Sequence, residues 1–197
     1  MPVPNTKIYL SSAVASLTGG FQYTPNASGD LQTTPSSRSW VSGITDLNGD
    51  GIADIIVGGA SDDDKLADAG RIYIRFGKAA GGTSSVLPDS VDGFIIDGVH
   101  AGDMAGGSVG SVKDINGDGK AEMLVGAAGM DNGALIDAGA AFVLWGKATG
   151  GIDLADPFSG GGKGYVMKGE AAYDYAGSTV TSIGDLNGDG KADILVG

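Results

Sequence analysis

Three nine-residue stretches place acids and amides at a spacing suited to chelating a cation. They are Asp46-Leu47-Asn48-Gly49-Asp50-Gly51-Ile52-Ala53-Asp54, Asp114-Ile115-Asn116-Gly117-Asp118-Gly119-Lys120-Ala121-Glu122 and Asp185-Leu186-Asn187-Gly188-Asp189-Gly190-Lys191-Ala192-Asp193. Alternate side chains at the first, third and fifth positions can turn their oxygens to one centre. Calcium takes roughly six to eight hard oxygen donors in a flexible shell. The expected donors are Asp46, Asn48, Asp50, the Ile52 carbonyl and Asp54 in the first stretch. In the second they are Asp114, Asn116, Asp118, the Lys120 carbonyl and Glu122, and in the third Asp185, Asn187, Asp189, the Lys191 carbonyl and Asp193. A glycine after the fifth position permits the sharp turn that wraps the chain round an ion. The seventh residue offers only its carbonyl, so it is free to be Ile or Lys. The ninth must close the shell, with both oxygens, and is only Asp or Glu. About three calcium ions are expected.

Without a cation, three carboxylates packed so closely would repel one another. Asn-Gly and Asp-Gly also favour ordinary turns between strands. A single such stretch would leave that reading open, but three with every donor position intact argue against it. Magnesium is the weaker alternative, because it tolerates crowded all-protein shells poorly. In an EF-hand the loop runs to an acid at the twelfth position and leads into a helix. Here the twelfth residue is Val57, Val125 or Val196, and the segment from the ninth residue onward reads as a strand.

The elements that must hold these loops repeat with them. Val41–Gly58, Val109–Gly126 and Val180–Gly197 match position by position, with Asp46, Asp114 and Asp185 separated by 68 and then 71 residues. Gly70–Lys78 returns as Gly139–Lys147, Gly93–Gly98 as Gly164–Gly169, and Asp103–Gly106 as Asp174–Gly177. Each full unit thus holds four short segments rich in Val, Ile, Phe and Tyr, bounded by Gly, Asp or Asn, near 107–113, 121–128, 140–146 and 164–168 in the middle copy. No segment keeps a helical period. Four antiparallel strands per repeat make a propeller blade. The expected fold is all-β, with about three blade-type units, as a partial propeller or the protomer of an assembled one. The expected division is 1–40, with strands at Lys7–Leu10 and Gly20–Tyr23 that could complete a blade, then 41–106, 107–177 and a partial unit 178–197. Ala79–Pro88 and Gly150–Gly164 read as surface loops. In Arg71–Phe76 polar and apolar residues alternate as in a half-exposed strand, whereas Ala140–Trp145 is apolar on both faces.

Composition narrows the function. Apolar residues make up 42% of the 197, enough for a core, and no run approaches a membrane helix. The net charge of −12 carries no basic patch for nucleic acid. Nine of the 24 acids lie in the three loops, so the acidic excess has a specific place. With no cysteine there are no disulfides, thiolate nucleophiles or Cys-zinc sites. The first residues, Met1-Pro2-Val3-Pro4-Asn5, do not read as a signal peptide.

The Phe76-Gly77 and Trp145-Gly146 pairs, the Gly58-Gly59-Ala60 and Gly126-Ala127-Ala128 segments and the acidic loops together resemble FG-GAP repeats. Such repeats build the integrin alpha-subunit β-propeller and occur in large secreted or surface proteins of bacteria. The resemblance covers Val41 to Gly197 and implies that each calcium loop joins the first and second strands of a blade. Two departures stand out. Ala60 and Ala128 replace Pro, and under three units are present where the family usually closes seven.

The expected role is a calcium-stabilised structural or adhesion module of a secreted or cell-surface protein, binding a protein or glycan, with a homo-oligomer completing the propeller as a further possibility. A non-enzyme is expected. His100, the one histidine, sits in a Gly/Asp loop and reads as exposed, and no nucleophile elbow, zinc pattern or phosphate loop is present. Asp103 and Asp174 read as braces after tight turns. Two alternatives remain: an accessory domain of a secreted hydrolase, and a lectin stacking sugars on Trp40, Trp145, Tyr165, Tyr173 or Tyr175. Of these aromatics, Trp145 and Tyr165 read as core, and Tyr173 and Tyr175 as the better sugar platforms.

Overall fold

The computed structural model describes residues 39–63, 65–77, 93–147, 152–155 and 164–197. The expected N-terminal strands and the Ala79–Pro88 loop lie outside these. The described residues are all-β, with eleven strands. Unit one holds β1 (Ser39–Thr45), β2 (Asp54–Gly59), β3 (Arg71–Arg75) and β4 (Gly93–Asp97). Unit two holds β5 (Ala105–Val112), β6 (Glu122–Ala127), β7 (Ala140–Leu144) and β9 (Gly164–Lys168). Unit three holds β10 (Val180–Gly184) and β11 (Asp193–Val196).

Within each unit successive strands pair antiparallel, as short Gly- and Asp-bounded strands dictate. The four-strand expectation holds for unit two and is exceeded in unit one. A short β8 (Ile152–Asp153) pairs parallel with β4, making the order β1-β2-β3-β4-β8. Part of the expected Gly150–Gly164 loop is therefore a strap across the outer edge of the preceding unit.

The units pack face to face. Leu47, Ile56, Ile72 and Ile74 of unit one lie in one core with Val109, Met123 and Val125 of unit two. A smaller core joins Val112 and Leu124 of unit two to Val180 of unit three, with Ile194 and Val196 against it. Each fully buried aliphatic side chain contributes about 2 kcal/mol from surface removed from water. Close backbone contact accompanies this packing. Gly70 bridges Ala105 and Gly139 bridges Ala176, one equivalent contact at each unit boundary.

Two readings of side-chain burial are corrected. β3 is not half-exposed: Arg71 and Tyr73 are buried. Their polar ends are satisfied inside, with Arg71 Nε donating to Asp97 and the Tyr73 hydroxyl donating to Asp62 Oδ2 at 2.6 Å. A polar residue in a strand pattern signals exposure only when no buried partner waits for it. Conversely Tyr165, expected in the core, is 61% exposed, because it stands on the outermost strand, β9. Trp145 is half-buried just after β7, and β7 itself is buried throughout, as its apolar run requires.

Candidate metal centre

All three acidic loops connect the first and second strands of their units: β1 to β2, β5 to β6 and β10 to β11. Each loop is built by its own first aspartate. Asp46 Oδ1 accepts the N–H groups of Gly49 (2.6 Å) and Asp50 (3.1 Å), and Oδ2 accepts that of Gly51 (2.8 Å). Asp114 and Asp185 make the same three bonds to Gly117, Asp118 and Gly119, and to Gly188, Asp189 and Gly190. These backbone donors hold the Asp114 carboxyl below its ordinary range. The third residue accepts from the fifth, and the fifth from the seventh, as in Asn116 Oδ1 to the Asp118 N–H (2.8 Å) and Asp118 Oδ1 to the Lys120 N–H (2.9 Å). Both loop glycines are left-handed, Gly117 at φ 83° and Gly119 at 84°, so the Asn-Gly glycine is as necessary as the Asp-Gly one.

The ninth residue ties the loop to its sheet. Asp54 is wholly buried; Oδ2 accepts the Leu47 N–H at 2.7 Å and Oδ1 the Gly77 N–H at 2.8 Å. Burial raises its pKa, and the two N–H groups offset part of that. Gly77 is the glycine of the Phe-Gly pair. A Cβ there would sit 2.3 Å from the Ala53 carbonyl oxygen, and one on Gly146 would sit 2.3 Å from that of Ala121. The Phe-Gly and Trp-Gly pairs thus end β3 and β7 close enough to grip the acidic loop, a role that sequence reasoning missed because the contact spans the sheet.

In the second loop the carboxylates converge. One oxygen each from Asp114, Asp118 and Glu122 lies within 4.8 Å of the others, a grouping able to hold a metal ion. Glu122 is wholly buried, accepts the Ile115 N–H at 2.8 Å and the Asn116 amide at 2.9 Å, and is one methylene longer than Asp54 and Asp193. Burial first, then the charges of Asp114 and Asp118, push its pKa up to about 7. The donors are all oxygen, as a hard cation requires, and each carboxylate oxygen keeps lone-pair capacity beyond its N–H partner. Among the described residues this is the acidic group whose oxygens come this close. Loops one and three close on Asp54 and Asp193, and their Asn48 and Asn187 amides donate to Asp50 and Asp189; the backbone bonds of the first, third and fifth residues recur there without that convergence. In loop three Asp193 Oδ2 accepts the Leu186 N–H at 2.7 Å.

Loops one and two lie side by side. The Asp46 carbonyl accepts the Ala121 N–H at 2.9 Å, and the Lys120 stem lies within 3.4 Å of where a Gly49 Cβ would be. The Lys120 ammonium is 4.0 Å from Asp118.

The remaining candidates fall elsewhere. His100 is exposed, 3.7 Å from Asp103. Asp103 Oδ2 accepts the Val99 and His100 N–H groups, and Asp174 Oδ2 those of Glu170 and Ala171, so both brace turns as expected. Tyr173 and Tyr175 are exposed, with ring centroids 6.4 Å apart and backbones left-handed at φ 65° and 53°. Trp40 lies in β1, and its side chain is outside the described residues.

This architecture carries FG-GAP repeats: the FG-GAP repeat family matches residues 39–74 and 176–197, which include the first and third loops. Among whole proteins, the chain is similar to phosphatidylinositol-glycan-specific phospholipase D. It is 28% identical to the mouse protein over 174 residues and 29% identical to the rat protein over 181, with 87% of this chain and 20% of the relative covered in each case. The bovine protein is 28% identical over 176 residues. The chain therefore spans 20% of the length of these relatives, a distant relationship.

Proposed function

We propose that this chain is a calcium-binding, calcium-stabilised module of β-propeller type, serving a structural or adhesive role in a secreted or cell-surface protein. The observation that carries the reading is the second loop, where Asp114, Asp118 and Glu122 converge and a buried carboxyl is left costly to ionise unless a cation joins it. The donors would be those at the first, third, fifth, seventh and ninth positions of each loop. Calcium would neutralise the carboxylates and lock β5 to β6, and likewise the first two strands of the other units. The face-to-face units, with their loops at one equivalent place, support blades arranged round an axis. A protein or glycan would be bound by the module as a rigid surface.

A second reading is favoured by the relatives. The chain would be an accessory region of a larger hydrolase, with the chemistry performed outside these residues. The exposed His100, set beside a turn aspartate, supports assigning no catalysis here. Thermal unfolding with calcium and with EGTA tests the calcium reading. At calcium a hundredfold above the dissociation constant the chain should gain about 2.7 kcal/mol per site. Identical melting temperatures in the two buffers would overturn it. Lipase, phosphatase and glycosidase assays on the purified chain test the assignment of catalysis; turnover lost in His100→Ala would reverse it.

A further inference from the structure

The first two loops share a sequence pattern but aim their last carboxylate differently. In loop one Asp54 commits both oxygens to the sheet. Oδ2 accepts the Leu47 N–H, and Oδ1 turns away to the Gly77 N–H just after β3. The Asn48 amide meanwhile donates to Asp50 Oδ2 at 3.0 Å, which links two residues of the loop tip and leaves Asp54 out. In loop two Glu122 Oε2 accepts the Ile115 N–H, the equivalent of the Leu47 bond, but Oε1 turns inward and accepts the Asn116 amide at 2.9 Å. The extra methylene carries the carboxylate into the loop, where one of its oxygens lies within 4.8 Å of oxygens of Asp114 and Asp118. Both loops belong to units with all four blade strands in place, so the contrast is between like surroundings.

The number of donors follows from this. Glu122 can offer a cation two oxygens, whereas Asp54 can offer one while Gly77 holds the other. Loop one is therefore one carboxylate oxygen poorer. Magnesium is satisfied by about six oxygens in a tight octahedron and readily keeps bound water, whereas calcium takes roughly six to eight at longer distances. A larger donor set already gathered in place also loses less freedom on binding. We propose that Glu122 makes loop two the tight, calcium-selective site, and that Asp54 makes loop one a weaker site that discriminates less against magnesium. This rests on the calcium reading above and adds an order of filling to it, loop two before loop one.

Calorimetric titration of the full chain with calcium chloride and with magnesium chloride tests it. Asp189→Ala silences loop three throughout. Adding Asp118→Ala then leaves loop one alone, and adding Asp50→Ala leaves loop two alone. All three aspartates are exposed, and melting curves in EGTA report that each variant is folded. Loop two alone should bind calcium at least about tenfold more tightly than loop one alone, and its preference for calcium over magnesium should be larger by about the same factor. Glu122→Asp, placed in the chain with loop two alone, should bring both figures down to those of loop one. Equal calcium affinity in the two loops, or equal ion preference, would overturn the proposal and leave the calcium reading standing. So would a tight step that survives Glu122→Asp unchanged. An unmutated chain that binds no calcium would overturn both.

Discussion

Replacing Glu122 by Gln should have opposite effects with and without calcium. Burial and the neighbouring Asp114 and Asp118 raise its carboxyl from 4.5 to about 7. At 1.36 kcal/mol per tenfold change in proton affinity, ionising it in the calcium-free fold costs on the order of 3 kcal/mol. Solvent around the exposed Asp114 and Asp118 screens part of this, leaving roughly 2 kcal/mol. Linkage sets the sign. Between 4.5 and 7 the folded chain holds this proton more often than the unfolded chain, so calcium-free stability falls as pH rises through that window and levels off above it. Glutamine keeps an oxygen for the Ile115 N–H and never ionises, but its NH2 then faces the Asn116 amide, a lost hydrogen bond that takes back about 1 kcal/mol. At pH 8 in EGTA, Glu122→Gln should therefore unfold some 2–4 °C above the wild type, by about 2–4 °C per kcal/mol for a chain of this size. In saturating calcium the order should reverse, because the variant has lost a charged donor. Melting curves from about pH 5 to 8.5 in both buffers read this directly. A variant that melts below the wild type in both, or a wild-type curve in EGTA that is flat across the window, would refute this account of Glu122.

Other substitutions probe the frame around the loops. Gly77→Ala drives a methyl into the Ala53 carbonyl and disturbs the N–H held by Asp54; a loss of about 1–3 kcal/mol in urea unfolding is expected. Leu47→Ala should cost about 2–5 kcal/mol by the same assay, whereas Leu186→Ala should stay within about 0.5 kcal/mol, because the first is plugged between units and the second is exposed. Arg71→Ala removes the cation beside the buried Asp62, which keeps the Tyr73 hydroxyl, and frees Asp97 from its guanidinium; it should cost about 3 kcal/mol, measured as a fall in unfolding midpoint at unchanged slope.

Much of this was legible in the residues because local chemistry dictates it. Asn-Gly-Asp-Gly demands two left-handed glycines whatever surrounds it, and Val/Ile-rich segments of five or six residues between such turns become strands. The middle unit's strands fall within two residues of their expected positions. What escaped was decided by partners distant in sequence. Arg71 is inside because Asp97, 26 residues away, receives it there. Tyr165 is outside because of its strand's rank in the sheet, which no residue of β9 encodes. The convergence in loop two, and not in its neighbours, turns on one methylene in Glu122 whose reach only the folded loop reveals.

The short β8 strand bears on how such an array can grow. It belongs to unit two's connection but seals the outer edge of unit one, at Ile96 and Asp97, where unpaired amides would otherwise invite stray pairing. A gene duplication that copies one whole unit copies the seal for its predecessor as well. Lengthening the array therefore opens no new interior seam, and the hazard stays confined to whichever unit comes last.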